Sequence, residues 1–164
     1  MSTFPFQVVG FDLDGTLVDS ALDLGPAVNA ALRLADRPEV TPEVTRRLIG
    51  GGARLMLERA LVVTGGPVDP ARFEVLFEGL LDHYTANISA NTVPYPRCLD
   101  ALDVLAAQGC HLAVVTNKAE HLARLLLDQL DLTRRFTSIV GGDTLGRERA
   151  KPAPRMTARA VAAK

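Results

Sequence analysis

Cysteine is scarce: the 164-residue chain holds two, Cys98 and Cys110, and neither stands in a C-x-x-C arrangement. A disulfide framework is not expected, and both thiols read as small buried apolar residues of a reduced, cytoplasmic protein. Charge of one sign is lacking too. The 18 Lys and Arg stand against 19 Asp and Glu, a net charge of −1, so there is no basic footprint for nucleic acid. No apolar run approaches the roughly 20 residues that cross a bilayer, and a membrane partner is not expected. The opening Met1-Ser2-Thr3-Phe4-Pro5 has no charged-then-apolar signal pattern, which again points to a cytoplasmic location. His83, His111 and His121 have no ligand spacing, so a histidine metal centre is not expected. The sequence contains no Gly-x-x-x-x-Gly-Lys-Ser/Thr loop, no internal repeat and no low-complexity segment.

What is present is concentrated near the start. Phe6 to Phe11 is an apolar, β-branched run with the character of a buried strand, and it stops at Asp12-Leu13-Asp14-Gly15-Thr16. Gly15 breaks the extended pattern, which places both carboxylates where strand gives way to loop, the edge at which open α/β sheets bind ligands. Two carboxylates so close are costly together unless a cation or a shared proton offsets them. Mg²⁺ suits carboxylates that leave room for waters and phosphate. The alternative is a plain polar turn, since Asp and Gly dominate turns.

Further along, residues 20–90 read as helices only: 21–35, 42–48, 53–63 and 71–88. Thr41-Pro42 and Asp69-Pro70 serve as starts, Asp19 and Ser20 open the first helix, and Gly50-Gly51-Gly52 interrupts. Residues 91–96 read as a linker. Beyond them come a helix over 97–108 closed by Gly109, a strand over 111–115, a helix over 119–130 and a strand over 137–141. Alternation of this kind predicts an α/β fold with a parallel, Rossmann-like sheet, interrupted by an all-helical insertion. The expected division is 1–18 with 96–164 as the α/β core and 19–95 as the helical part.

The hydrophobic strand followed by Asp-Leu-Asp-Gly-Thr resembles the first motif of the haloacid dehalogenase superfamily, and the strand-and-insert layout resembles its core with a helical cap. The resemblance implies that Asp12 is a nucleophile forming an aspartyl-phosphate and Asp14 an acid, then a base, with Mg²⁺ held at Asp12 and Asp14. It further implies that Thr116, ending a strand, donates to phosphate, that Asn117 beside it adds a donor, and that Lys151 of Lys151-Pro152-x-Pro154 neutralises phosphate charge. Asp at i+2 favours a phosphatase over a dehalogenase. A narrower resemblance is to the phosphoglycolate phosphatases. It rests on Asp19 to Leu24, Gly50-Gly51-Gly52-Ala53-Arg54, Thr116-Asn117-Lys118 and Val140 to Thr144. It implies a Mg²⁺-dependent phosphomonoesterase acting on a small phosphorylated metabolite, with 2-phosphoglycolate as substrate.

Two readings stay open in the helical part. Gly51 and its neighbours are either a loop closing over substrate or a turn, and Arg54 either meets a substrate carboxylate or is an exposed helix charge. The family pattern also has a fourth, acidic motif. The thirteen residues after Lys151 hold no Asp and no Glu, leaving Asp143 and Glu148 as the nearest downstream acids. Truncation before that motif is the expectation. An inactive remnant is therefore one alternative to the phosphatase, and a sugar phosphomutase, which shares the capped architecture, is the other. A phospho-receiver module is disfavoured by the long insertion.

Overall fold

A computed structural model describes residues 5–146 and 150–152. The chain forms two compact units, one joining the residues up to Asp19 to those from Val93 on, the other comprising Ser20–Thr92.

In the first unit, β1 (Val8–Phe11), β4 (His111–Val115) and β5 (Ser138–Val140) form a parallel sheet in the order β1-β4-β5. Val8 pairs with His111, Phe11 with Val114, and Val115 with Val140. Central β4 is apolar and buried from Leu112 to Val115, as the middle strand of a parallel sheet is. Helices α5 (Cys98–Ala107) and α6 (Glu120–Gln129) supply the crossovers. The stripe Leu122, Ala123, Leu126 and Leu127 of α6 is buried, spaced as one helical face. Gly109 sits after α5 with φ 81°, donating to Ala106 O while Cys110 donates to Leu105 O. This is a Schellman closure that turns the chain straight into β4. Cys110 is buried, Cys98 half-buried, and both are free.

A two-stranded antiparallel ribbon, β2 (Val18–Asp19) with β3 (Val93–Pro94), was not expected. It takes residues 93–95 out of the linker assigned from sequence, since Tyr95 also donates to Leu17 O, and sets the unit boundaries at 19/20 and 92/93.

The second unit is all helix: α1 (Ala21–Leu34), α2 (Pro42–Leu48), α3 (Ala53–Thr64) and α4 (Pro70–Ala86). Its core takes Ala27, Val28, Ala31 and Leu32 from α1, Met56, Leu57, Ala60 and Leu61 from α3, and Leu76, Leu80 and Tyr84 from α4. A Cβ on Gly79 of α4 would lie 2.7 Å from Leu34 Cδ1, the tip of an exposed side chain on α1. Thr41 and Asp69 cap α2 and α4 by accepting from Val44 N and Arg72 N. Ser20 stands at the N-cap of α1, where the sequence placed the helix start, but makes no side-chain cap bond. Among the described residues no helix is long and apolar enough to cross a membrane.

Candidate active site

The loop after β1 is built before its carboxylates can act. Leu13 and Leu17 are buried, anchoring a tight turn in which Leu17 and Thr16 donate to Leu13 O and Gly15 donates to Val18 O. Gly15 has φ 76°, a value that glycine tolerates far better than other residues. Asp12 and Asp14 flank the Leu13 anchor. Asp12 Oδ1 accepts from Leu13 N at 2.8 Å, fixing its carboxylate to its own backbone.

Each aspartate meets a lysine. Lys151 Nζ lies 2.8 Å from Asp12 Oδ1, with side-chain exposures of 28% and 42%. Lys118 Nζ lies 2.9 Å from Asp14 Oδ2 and 3.1 Å from Oδ1, with exposures of only 5% and 16%. Two negative and two positive charges thus form two pairs, one at each aspartate. The open pair is screened by water, the enclosed one much less.

The residues after β4 hold this arrangement. Thr116 is buried; its N–H continues the ladder to Val140 O and its Oγ1 accepts from Lys118 N at 3.2 Å. Its own O–H remains a donor that this bond does not consume. The Asn117 side chain pairs with the Lys151 backbone in both senses: Oδ1 accepts from Lys151 N at 2.8 Å and Nδ2 donates to Lys151 O at 3.3 Å. Asn117 was expected to add a side-chain or backbone donor; its side-chain amide seats Lys151. Lys118, quoted within Thr116-Asn117-Lys118, had no assigned role. Only its place in that string signalled it.

The end of β5 closes onto the same loop. Gly142 donates to Lys118 O at 2.8 Å. A Cβ there would lie 2.5 Å from Asn117 O, and one on Gly141 would lie 2.4 Å from the Glu120 backbone. Asp143 accepts from Glu120 N at 2.8 Å, so this downstream acid caps the α6 N-terminus, where a negative charge is favourable. Burial would raise the Glu120 carboxyl, but the Thr144 hydroxyl bond exceeds that effect and, with Arg124, holds it below its usual range. Glu148 and Pro154 lie outside the described residues.

The structure therefore gathers Asp12, Asp14, Thr116, Asn117 and Lys151 in the α/β unit. Arg54 and Gly51 belong to the helical unit. Arg54 grips Glu74 with two bonds of 2.8 and 2.9 Å and lies over the Phe73 and Phe77 rings. Gly50, Gly51 and Gly52 have φ of 109°, 79° and 91°, a run that suits only glycine, directly before α3.

Two hard carboxylates suit Mg²⁺, which takes one or two of them and completes its shell with waters and phosphate. Among the described residues no group of three or more His, Cys, Asp or Glu could hold a metal. The donor set fits a cation held jointly with a phosphate ligand rather than in an all-protein cage.

Comparison with known proteins bears on the same residues. A family model described as haloacid dehalogenase-like hydrolase matches residues 9–164. The phosphoglycolate phosphatase of Agrobacterium fabrum is 42% identical over 134 residues, covering 82% of this chain and 58% of that protein. That of Aquifex aeolicus is 40% identical over 148 residues, covering 90% of this chain and 66% of that protein. This chain thus spans less than two thirds of either relative's length. A crystal structure of a predicted phosphoglycolate phosphatase from Haemophilus somnus 129PT superposes with a TM-score of 0.88. Its sequence identity is 30%, over 96% of this chain and 71% of that one.

Proposed function

Since the chain belongs to the haloacid dehalogenase-like hydrolase family, we propose that it hydrolyses a small phosphomonoester, 2-phosphoglycolate to glycolate, through an aspartyl-phosphate on Asp12. The observation that carries this reading is the pair of aspartates beyond β1, each facing a lysine, with the Thr116 hydroxyl at the neighbouring strand end. The substrate comes from the names of the relatives. The helical unit, as a cap, would select it.

In the first half-reaction Asp12 bonds to phosphorus as the ester P–O bond breaks, and Asp14 gives its proton to the departing alkoxide. In the second, water loses a proton to Asp14 and bonds to phosphorus. The P–O bond to Asp12 then breaks, restoring the carboxylate and releasing phosphate. A carboxylate nucleophile splits one difficult step into two easier ones. Lys151 neutralises charge on phosphate and nucleophile, and Thr116 donates to a phosphate oxygen. Asp12 and Asp14 would hold Mg²⁺, which when bound screens the charge of the phosphoryl group. A second reading, phosphate binding without turnover, is favoured by the lysine partner each carboxylate already has.

Phosphate release from 2-phosphoglycolate by the purified chain, with and without Mg²⁺, tests this directly. Turnover that needs Mg²⁺ and falls at least about 10³-fold in Asp12→Asn is the expected result, since the nucleophile is then lost. A folded chain with no turnover would leave the second reading.

A further inference from the structure

We propose that Lys118 is a positioning residue that fixes the orientation of the Asp14 carboxylate. The inference rests on the phosphatase reading above and adds a residue to it. One ammonium reaches both carboxylate oxygens, at 3.1 and 2.9 Å, so it bears directly on the plane of the carboxylate. An ammonium donates only, so an Asp14 proton must sit on an edge turned away from Lys118. A proton given to the leaving alcohol or taken from water moves on that side of the carboxylate, whose direction the Lys118 contact helps to set.

The lysine is itself fixed. Its backbone N–H bonds to Thr116 Oγ1 and its C=O accepts from Gly142 N, tying it to the ends of both β4 and β5. Its side chain then crosses to the loop after β1, making the Asp14 contact a strut between three strand ends. Enclosure separates it from the other lysine. At 5% exposure Lys118 faces little competing water, whereas Lys151 at 28% pairs with an Asp12 that is 42% exposed. The nucleophile is thus left accessible while the acid–base group is clamped. Rigid support of this kind decides whether a catalytic group stays within reach of the reacting atoms.

The test uses two esters and two variants of the full chain. Glycolate leaves 2-phosphoglycolate as an alkoxide that needs a proton; p-nitrophenolate leaves p-nitrophenyl phosphate without one. Lys118→Met should lose at least tenfold more kcat/KM on the first ester than on the second, and Lys118→Arg should recover part of the difference. A role in phosphate binding or in folding alone would lower both equally, and that result would overturn the proposal. A crystal structure of Lys118→Met supplies a readout free of turnover. Asp14 is expected in a new or divided orientation over an unchanged main chain; an Asp14 that keeps its place overturns the proposal. If the wild-type chain hydrolyses neither ester, the phosphatase reading fails, and the crystal structure still decides the grip of Lys118.

Discussion

A lysine acts on a phosphate only as accurately as its backbone is held, and the backbone of Lys151 is held by one amide. Asn117 meets Lys151 as another strand would, through one donor and one acceptor. Alanine at 117 leaves both backbone groups without this partner and lets Nζ drift from Asp12. The expected result is a loss of about 10- to 100-fold in kcat/KM for 2-phosphoglycolate, with an unchanged circular-dichroism spectrum. Asn117→Asp keeps the acceptor and gives up the donor, so it should fall between alanine and wild type. Equal activity of all three would show that Lys151 needs no such seat. The aspartates were legible in sequence because strand, carboxylates and glycine stand next to one another. The Lys118–Asp14 pair was not, because its members are 104 residues apart and only the sheet register brings them together. The bonds from Asn117 to Lys151 were hidden for the same reason. The partner of Asn117 is the backbone 34 residues on, and a backbone group has no letter of its own.

Among the elements, what could be read was local. Thr41-Pro42, Asp69-Pro70 and Gly109 mark helix ends through bonds to residues a few positions away, and those ends stand where they were expected. The β2–β3 ribbon was hidden because each strand has two residues and its partner lies beyond four helices. Ser20 shows the reverse failure: a good capping residue in the right place that makes no cap bond. Helix ends also give two opposed stability predictions. Asp36 follows α1 with φ 54° in the position glycine favours, its N–H bonding to Arg33 O while Arg37 donates to Leu32 O. Asp36→Gly should stabilise the chain by about 0.5–1 kcal/mol, since the left-handed strain is relieved while the closing bonds persist. Asp69→Ala removes the Arg72 N bond and should cost about 1 kcal/mol. Urea titrations of both variants check the signs, and a destabilised Asp36→Gly would refute the strain argument.

Over the whole molecule, one chain makes two units by leaving the α/β part after Asp19 and returning at Val93. The ribbon secures the two crossings within the α/β unit, and a single carboxylate secures them within the helical one. Asp23, in the first turn of α1 and 2% exposed, accepts from Asn91 N and Thr92 N at 3.0 and 2.8 Å. It also accepts from the Asn91 side chain at 2.9 Å and the Thr92 hydroxyl at 2.6 Å. Burial pushes its pKa up, but these bonds together outweigh burial and hold the carboxyl below its ordinary value. Ionised Asp23 therefore adds stability that is complete above the unfolded value near ~3.9 and is lost as pH falls below it toward the lower native value. Asp23→Asn puts an amide among donors that need an acceptor, at a cost of about 3 kcal/mol, or about 6–12 °C in Tm, at pH 7. The gap between variant and wild type should narrow once the pH drops under about 3.9 and Asp23 of the unfolded wild-type chain begins to protonate. Thermal melts of both chains at pH 7, 5 and 3 measure it: the gap should be equal at the first two and smaller at the third. A gap that stays constant down to pH 3 would mean that the charge on Asp23 is not what joins the two ends of the helical unit.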